Sequence, residues 1–193
     1  MSSATAAEPK QKSKSQAPSI ISKEQFLRKY TNREDGYKYE WNNGLVEKTN
    51  AINQYQSKFF IVLLDVLIKT AAFKEGGRIV QETDMDTSPI QLRRPDIAYY
   101  TAEQLKKMWN KENQVALFIV EVISPSDKAE DINKKLEEYF RAGVQVVWHI
   151  FPESKKVDVY TSPDDVTICR DKAVCSAAPV IPYLEVVAEV LFS

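Results

Sequence analysis

Glu121 stands inside the run Leu117-Phe118-Ile119-Val120-Glu121-Val122-Ile123. An ionised carboxylate there must be paired, protonated or bound to a cation, because desolvating it alone is costly. An ion pair with a neighbouring Lys or Arg at the strand mouth meets that need as well as a chemical site does. Further along, Ile132, Leu136, Tyr139 and Phe140 gather on one side of a helical wheel; Lys135 falls on the same side and Lys134 points away. Lys135 can therefore reach the carboxyl end of the Glu121 strand, or it can snorkel with its stem on the core and its head in water. Upstream, Arg93-Arg94-Pro95-Asp96 precedes Ile97-Ala98-Tyr99-Tyr100. The proline holds Arg94 extended and starts a strand, so that Asp96 either serves turn chemistry or faces the adjacent strand. As a set, two carboxylates on successive strands can hold Mg²⁺ or Mn²⁺ through oxygen, and a nearby ammonium can orient water or offset charge on phosphate.

These side chains need elements to position them. Ser22 and Gln25 form a capping-box pattern for a helix over Lys23–Tyr30. Alternating Tyr37-Lys38-Tyr39-Glu40-Trp41, then Asn42-Asn43-Gly44 and Leu45-Val46-Glu47, predict a β-hairpin. Ile52, Tyr55, Phe59, Phe60, Leu63, Leu64 and Leu67 recur at helical spacing, predicting one long helix that ends before Gly76-Gly77. Short strands follow over Arg78–Gln81, near 85–91 and over 96–100, and Thr101 with Gln104 opens a short helix. Residues 116–123 read as a strand buried on both faces. Asp127 and Glu130 mark the start of a helix running to about Ala142, which Gly143 stops. A second buried strand covers 144–150, with a turn at Pro152-Glu153-Ser154 and a hairpin partner over 157–160. The segment 183–192 closes the core as either a helix or a strand. This order predicts an α/β sandwich around a central sheet.

The 193 residues carry 26 Lys+Arg against 27 Asp+Glu, a formal charge of −1, with 44% apolar residues and only 5 Gly. Those values exclude collagen-like, low-complexity and highly charged disordered classes. Residues 1–20 are expected to form a disordered, solvated tail rather than a secretory leader, since no apolar stretch follows their lysines. Residues 21–193 then fit one domain, burying about 70% of its unfolded surface. The longest apolar run of the long helix, 59–64, lies between Lys58 and Asp65 and is too short to span a bilayer. Cys169 and Cys175 read as reduced thiols of a cytoplasmic protein. His149 is the sole histidine, which argues against a structural zinc and excludes most Ser-His-Asp and Cys-His chemistries unless His149 is the base. The near-neutral balance argues against a general nucleic-acid coat but leaves room for a local basic patch.

Proline-aspartate on one strand, an acid on the next and a lysine close by resemble the PD-(D/E)XK nuclease superfamily. More narrowly, Arg94-Pro95-Asp96-Ile97, Val120-Glu121-Val122-Ile123-Ser124-Pro125-Ser126, Asp131 to Lys135, Tyr139, Ala142-Gly143-Val144 and Trp148 resemble the Uma two family of restriction-endonuclease-like proteins. The resemblance covers most of the chain after about Glu24. It implies a restriction-endonuclease-like α/β core with a central mixed sheet flanked by helices, and Mg²⁺- or Mn²⁺-dependent hydrolysis of DNA phosphodiesters. Asp96, Glu121 and the Val122 carbonyl would hold the metal, Lys135 would position water or offset charge, and Glu40 would be a further acidic member of the site. In the usual superfamily pattern the lysine stands two residues after the second acid, where this chain has Ile123; Lys135 takes its place from the following helix. Relatives also often carry a histidine near Asn53-Gln54, which this chain lacks. Strand alternation by itself puts Lys38 and Glu40 on one face, where Glu40 could equally be solvated. Arg93, Arg94 and Lys134, with Lys106 and Lys107, are candidates for phosphate contacts. Cutting both strands of a duplex suggests a homodimer, by analogy alone.

Two other classes compete. One is a catalytically inactive module that keeps the nuclease fold and acts in nucleic-acid binding or oligomerisation, which the acidic balance and the displaced lysine favour. The other is a glycosidase using Asp96 and Glu121, with Tyr99, Tyr100 and Trp109 as sugar platforms.

Overall fold

The computed structural model describes residues 20–50 and 54–193. The expected tail up to residue 19, and Ile52 and Asn53 of the expected long helix, lie outside the described residues. The Ser22 hydroxyl accepts from the Gln25 N–H while the Gln25 side chain accepts from the Ser22 N–H, and this box opens α1 (Lys23–Tyr30) as expected. β1 (Tyr37–Asn42) and β2 (Leu45–Asn50) pair around Asn43 and Gly44, whose φ values of 47° and 87° suit the two-residue hairpin turn. Phe26 of α1 packs on Tyr39, Trp41 and Leu92, so one face of the hairpin is spent on α1.

The long helix divides. α2 (Gln54–Leu67) ends where the Thr70 hydroxyl donates to the Leu67 carbonyl, and the same hydroxyl accepts from Phe73 N–H to cap α3 (Ala71–Lys74). A threonine able to serve both ends competes with continuous helix, which apolar spacing alone does not register. β3 (Arg78–Gln81), β4 (Met85–Ser88), β5 (Gln91–Arg93) and β6 (Ile97–Tyr100) follow, then α4 (Ala102–Trp109) behind a Thr101–Gln104 capping box. β7 (Phe118–Val122) leads to α5 (Ala129–Ala142). Asp127 does not cap α5; its carboxylate accepts from Ser124 N–H and closes the preceding turn, leaving Lys128 at the helix start without a side-chain cap. Gly143, at φ 110°, ends α5 in the left-handed conformation that glycine adopts without strain.

β8 (Val146–Phe151), β9 (Lys156–Ser162), β10 (Asp165–Cys169), β11 (Val174–Ser176), β12 (Glu185–Val187) and α6 (Ala188–Phe192) complete the chain. The final segment is thus a strand and then a helix. A six-stranded sheet runs β10-β9-β8-β7-β6-β3, and a four-stranded sheet runs β2-β1-β5-β4. The larger sheet is mixed: β7 and β8 are parallel, connected through α5, and the other pairs are antiparallel. Phe59, Leu63 and Leu67 of α2 bury one face of it with Phe118, Val120, Trp148 and Ile150. Leu136 and Tyr139 of α5 bury the other with Ala98, Ile119 and Val147. Glu121 alternates with Val120 and so shares the α5 face with Ile119. The Ile97–Val120 register brings Asp96, one residue before β6, beside it.

Candidate functional site

The face of β1 that carries Lys38 and Glu40 turns toward the larger sheet, and four elements of chain meet there. Asp96 Oδ1 accepts from Lys38 Nζ at 2.6 Å and Oδ2 accepts from the Val122 N–H at 2.7 Å. Glu121 Oε1 accepts from the Tyr139 hydroxyl and pairs with Lys135 Nζ at 3.0 Å. Lys135 Nζ also donates to Glu40 Oε1 at 2.9 Å, and the Arg94 N–H donates to that same oxygen at 2.9 Å. Asp96 and Glu40 are each 2% exposed, Lys38 4% and Glu121 6%, whereas the Lys135 side chain is 20% exposed and stands outermost. Asp96, Glu121, Lys135 and Glu40, named separately from the sequence, are therefore brought together.

Glu40 is not solvated. Alternation assigned its face correctly, but that face is covered by the larger sheet and α5 rather than by water. Arg93, expected at phosphate, is 4% exposed with its guanidinium committed to carboxylates: Nε and Nη2 donate to Glu138 at 2.6–3.0 Å, and Nη1 pairs with Glu40 at 3.3 Å and with Glu47. It frames the site from behind. Arg94 Nε donates to Asp84 at 2.7 Å. Lys134 is exposed and pairs with Glu130 at 2.6 Å, one turn earlier on the outer face of α5. The Val122 N–H anchors Asp96. Lys38, Glu138 and the hydroxyl role of Tyr139 were missed from the sequence; the period-two spacing of Lys38 from Glu40 was the signal available for the first.

Electrostatics follow from this packing. Burial pushes the Glu121 carboxyl up and the neighbouring Asp96 and Glu40 charges add to the rise, against the pull of Lys135 and Lys38. For Glu40 the same burial is outweighed by Lys135, Lys38 and Arg93, which hold it below the usual carboxylate range. Burial opposes the charge on Lys38 and on Lys135, yet the surrounding carboxylates raise both. Tyr139 is pushed well above its ordinary value by burial and by Glu121.

The donors offered by Asp96 and Glu121 are oxygens, the chemistry that Mg²⁺ and Mn²⁺ take, and a cation, the Lys38 ammonium, already rests against Asp96. Among the described residues, no three His, Cys, Asp or Glu side chains form a group that could hold a metal ion. A divalent ion would thus use one or two carboxylates and complete its shell from backbone, water or substrate oxygen, as Mg²⁺ commonly does. On that count the residues fit. At the carboxyl ends of β7 and β8, on the same side of the sheet, Ile123, Ser124, Asp127, Ile132 and Phe151 line a cleft of about 320 Å³.

His149 sits beside Glu121 on β8 and opposite Asp158 on β9. Burial, then the charges of Lys135 and Lys156, lower its pKa from the usual 6.5 to about 4, so the folded protein keeps it neutral. The unfolded chain takes up a proton between these values that the native state refuses. The stability held by neutral His149 is complete above pH 6.5 and is lost as pH falls toward 4, by up to ~3 kcal/mol. His149→Phe should flatten the fall in urea midpoint between pH 7 and pH 4.5; an unchanged fall would assign the acid sensitivity to other groups.

The mixed sheet with α5 crossing between its parallel strands, and the acids at the carboxyl end of β7, define an α/β protein of the restriction-endonuclease-like class. Solved structures agree: over 89% of this chain and 97% of the other, the fold is similar to that of a "putative nuclease belonging to DUF820" from Anabaena variabilis, with a TM-score of 0.73 and 18% identity. The Uma2 (Uma two) family profile, described as "Putative restriction endonuclease", matches residues 23–190, and the chain belongs to that family. A search of curated proteins found no match.

Proposed function

We propose that the protein is a metal-dependent endonuclease that hydrolyses phosphodiester bonds of DNA. The observation that carries this reading is the convergence of Asp96, Glu121 and Glu40 with Lys135 at the carboxyl ends of parallel strands, where α/β sheets commonly bind ligands. Family membership supports the same class of reaction. Asp96 and Glu121, with the Val122 carbonyl, would hold Mg²⁺ or Mn²⁺. Bound there, such an ion supplies a water of lowered pKa and polarises a phosphate oxygen. The Val122 N–H and the Tyr139 hydroxyl fix the two carboxylates in place. Glu40 holds the Lys135 ammonium at the mouth, where it offsets charge developing on phosphate. The cleft that begins at Ile123, two residues after Glu121, would receive substrate beside these groups. A homodimer would place two such sites on a duplex.

The test is cleavage of supercoiled plasmid and of labelled single- and double-stranded DNA by the full chain with Mg²⁺ or Mn²⁺, with chelator controls. Metal-dependent cutting by the parent that an Asp96 variant loses establishes the activity; no cutting of any of these DNAs, or cutting that a chelator leaves unchanged, overturns it.

A second reading rests on a specific observation: Asp96, Glu121 and Glu40 are all closed by internal cations. A module retaining the fold for nucleic-acid binding or assembly, without cleavage, would look the same. It would bind DNA with no dependence on metal or on Asp96.

A further inference from the structure

The cation nearest Asp96 is one that the chain itself supplies. Lys38 arrives from β1, in the smaller sheet, while Asp96 and Glu121 belong to the larger one. Its Nζ lies 2.6 Å from Asp96 Oδ1, its side chain is only 5% exposed, and its charge acts on Glu121 and Glu40 as well as on Asp96. Asp96 Oδ2 is already engaged by the Val122 N–H. Each Asp96 oxygen thus has one donor, and at Oδ1 that donor is a full positive charge in direct competition with an incoming ion.

Charge balance points the same way. Among the buried groups, the four carboxylates of Asp96, Glu121, Glu40 and Glu138 face three cations, Lys38, Lys135 and Arg93, while Glu47 is 40% exposed and open to water. This leaves one net negative charge. A divalent ion entering with both lysines in place would reverse that to one net positive charge in a desolvated volume, which is unfavourable. With Lys38 withdrawn, the ion, the four buried carboxylates, Lys135 and Arg93 balance. Lys135 is differently placed: it bridges Glu40 and Glu121, makes no contact with Asp96 and is the more exposed of the two.

We propose that Lys38 is a built-in competitor for the metal: it occupies Asp96 Oδ1 in the metal-free protein and must leave that oxygen before a divalent cation binds, so that it sets the metal affinity of the site. The inference rests on the metal-dependent reading given above and concerns binding, which is measurable without cleavage.

The experiment is Mn²⁺ binding to the full chain, by calorimetric titration and by electron paramagnetic resonance of free Mn²⁺, for the parent, Asp96→Asn, Lys38→Met and Lys38→Gln. Both Lys38 variants are expected to bind Mn²⁺ at least about tenfold more tightly than the parent, with Asp96→Asn weaker. Because a Lys38 variant could fail to fold, the parent is also followed by NMR with lysine labelled at ¹⁵Nζ. The buried Lys38 ammonium signal should shift and lose its solvent protection on addition of Mg²⁺. Binding that depends on Asp96 but is no tighter in the Lys38 variants, or a Lys38 signal unmoved at saturating Mg²⁺, overturns the inference and leaves the nuclease reading standing. No Mn²⁺ binding by the parent or by either Lys38 variant overturns both.

Discussion

Asp96→Asn is expected to lower metal-dependent DNA cleavage by about 10³-fold while leaving a folded protein. The substitution keeps an oxygen for the Val122 N–H, so the tie between the start of β6 and the end of β7 survives. What it removes is the charge that holds Lys38 in the metal-free state and, under the proposed function, the ion in the active one. Losing one preorganised charge at a reacting centre costs about 10²–10³ in rate, and losing the metal with it costs more. Some stability is lost as well, because the buried Lys38 ammonium loses its charged partner; removing one side of a buried pair costs about 3–5 kcal/mol, less here because the Glu121 and Glu40 charges also act on Lys38. Asp96→Ala would strip both bonds and confuse the two effects, which makes Asn the better variant. The measurement is single-turnover cleavage beside thermal unfolding of the same preparation. A folded Asp96→Asn protein that cuts as fast as the parent removes Asp96 from the site.

The parts of this site that sequence made legible are those whose cost is local. Glu121 is conspicuous because a carboxylate inside a strand buried on both faces needs a partner, and Lys135 because it occupies the apolar side of an amphipathic helix. The hairpin at Asn43-Gly44 and the capping boxes at Ser22 and Thr101 were equally readable, since each is a short-range hydrogen-bonding or dihedral demand. At the site, the contacts that stayed hidden join residues far apart in the chain. Arg93 and Glu138 are separated by 45 positions, and neither carries a mark of burial in its neighbours. Lys38 looks like a surface lysine on an alternating strand until the larger sheet is laid over it. Asp127 shows a local ambiguity: the same carboxylate can cap a helix or close a turn, and here Ser124 claims it. Thr70 likewise ends one helix and starts another through a hydroxyl that apolar periodicity ignores.

Arg93 separates framework from function most sharply. Its guanidinium binds Glu138 through Nε and Nη2 and reaches Glu40 and Glu47 through Nη1, joining β5 to α5, β1 and β2. Arg93→Met leaves Glu138 buried with only the Thr87 hydroxyl and the Gln91 amide as donors, and takes one of three nearby positive charges from Glu40. Removing one partner of a buried ion pair costs about 3–5 kcal/mol, because the remaining charge stays desolvated. In a protein of this size the cost corresponds to a fall in Tm of roughly 6–20 °C. Arg93→Lys should recover little, since a single ammonium cannot reproduce the planar fork on Glu138. The double variant Arg93→Met with Glu138→Leu should recover more, because the unpaired carboxylate goes with its partner. Thermal unfolding of the four proteins checks the ordering. If Arg93→Met instead melts with the parent and loses DNA binding, Arg93 is a phosphate contact and its carboxylate frame is incidental.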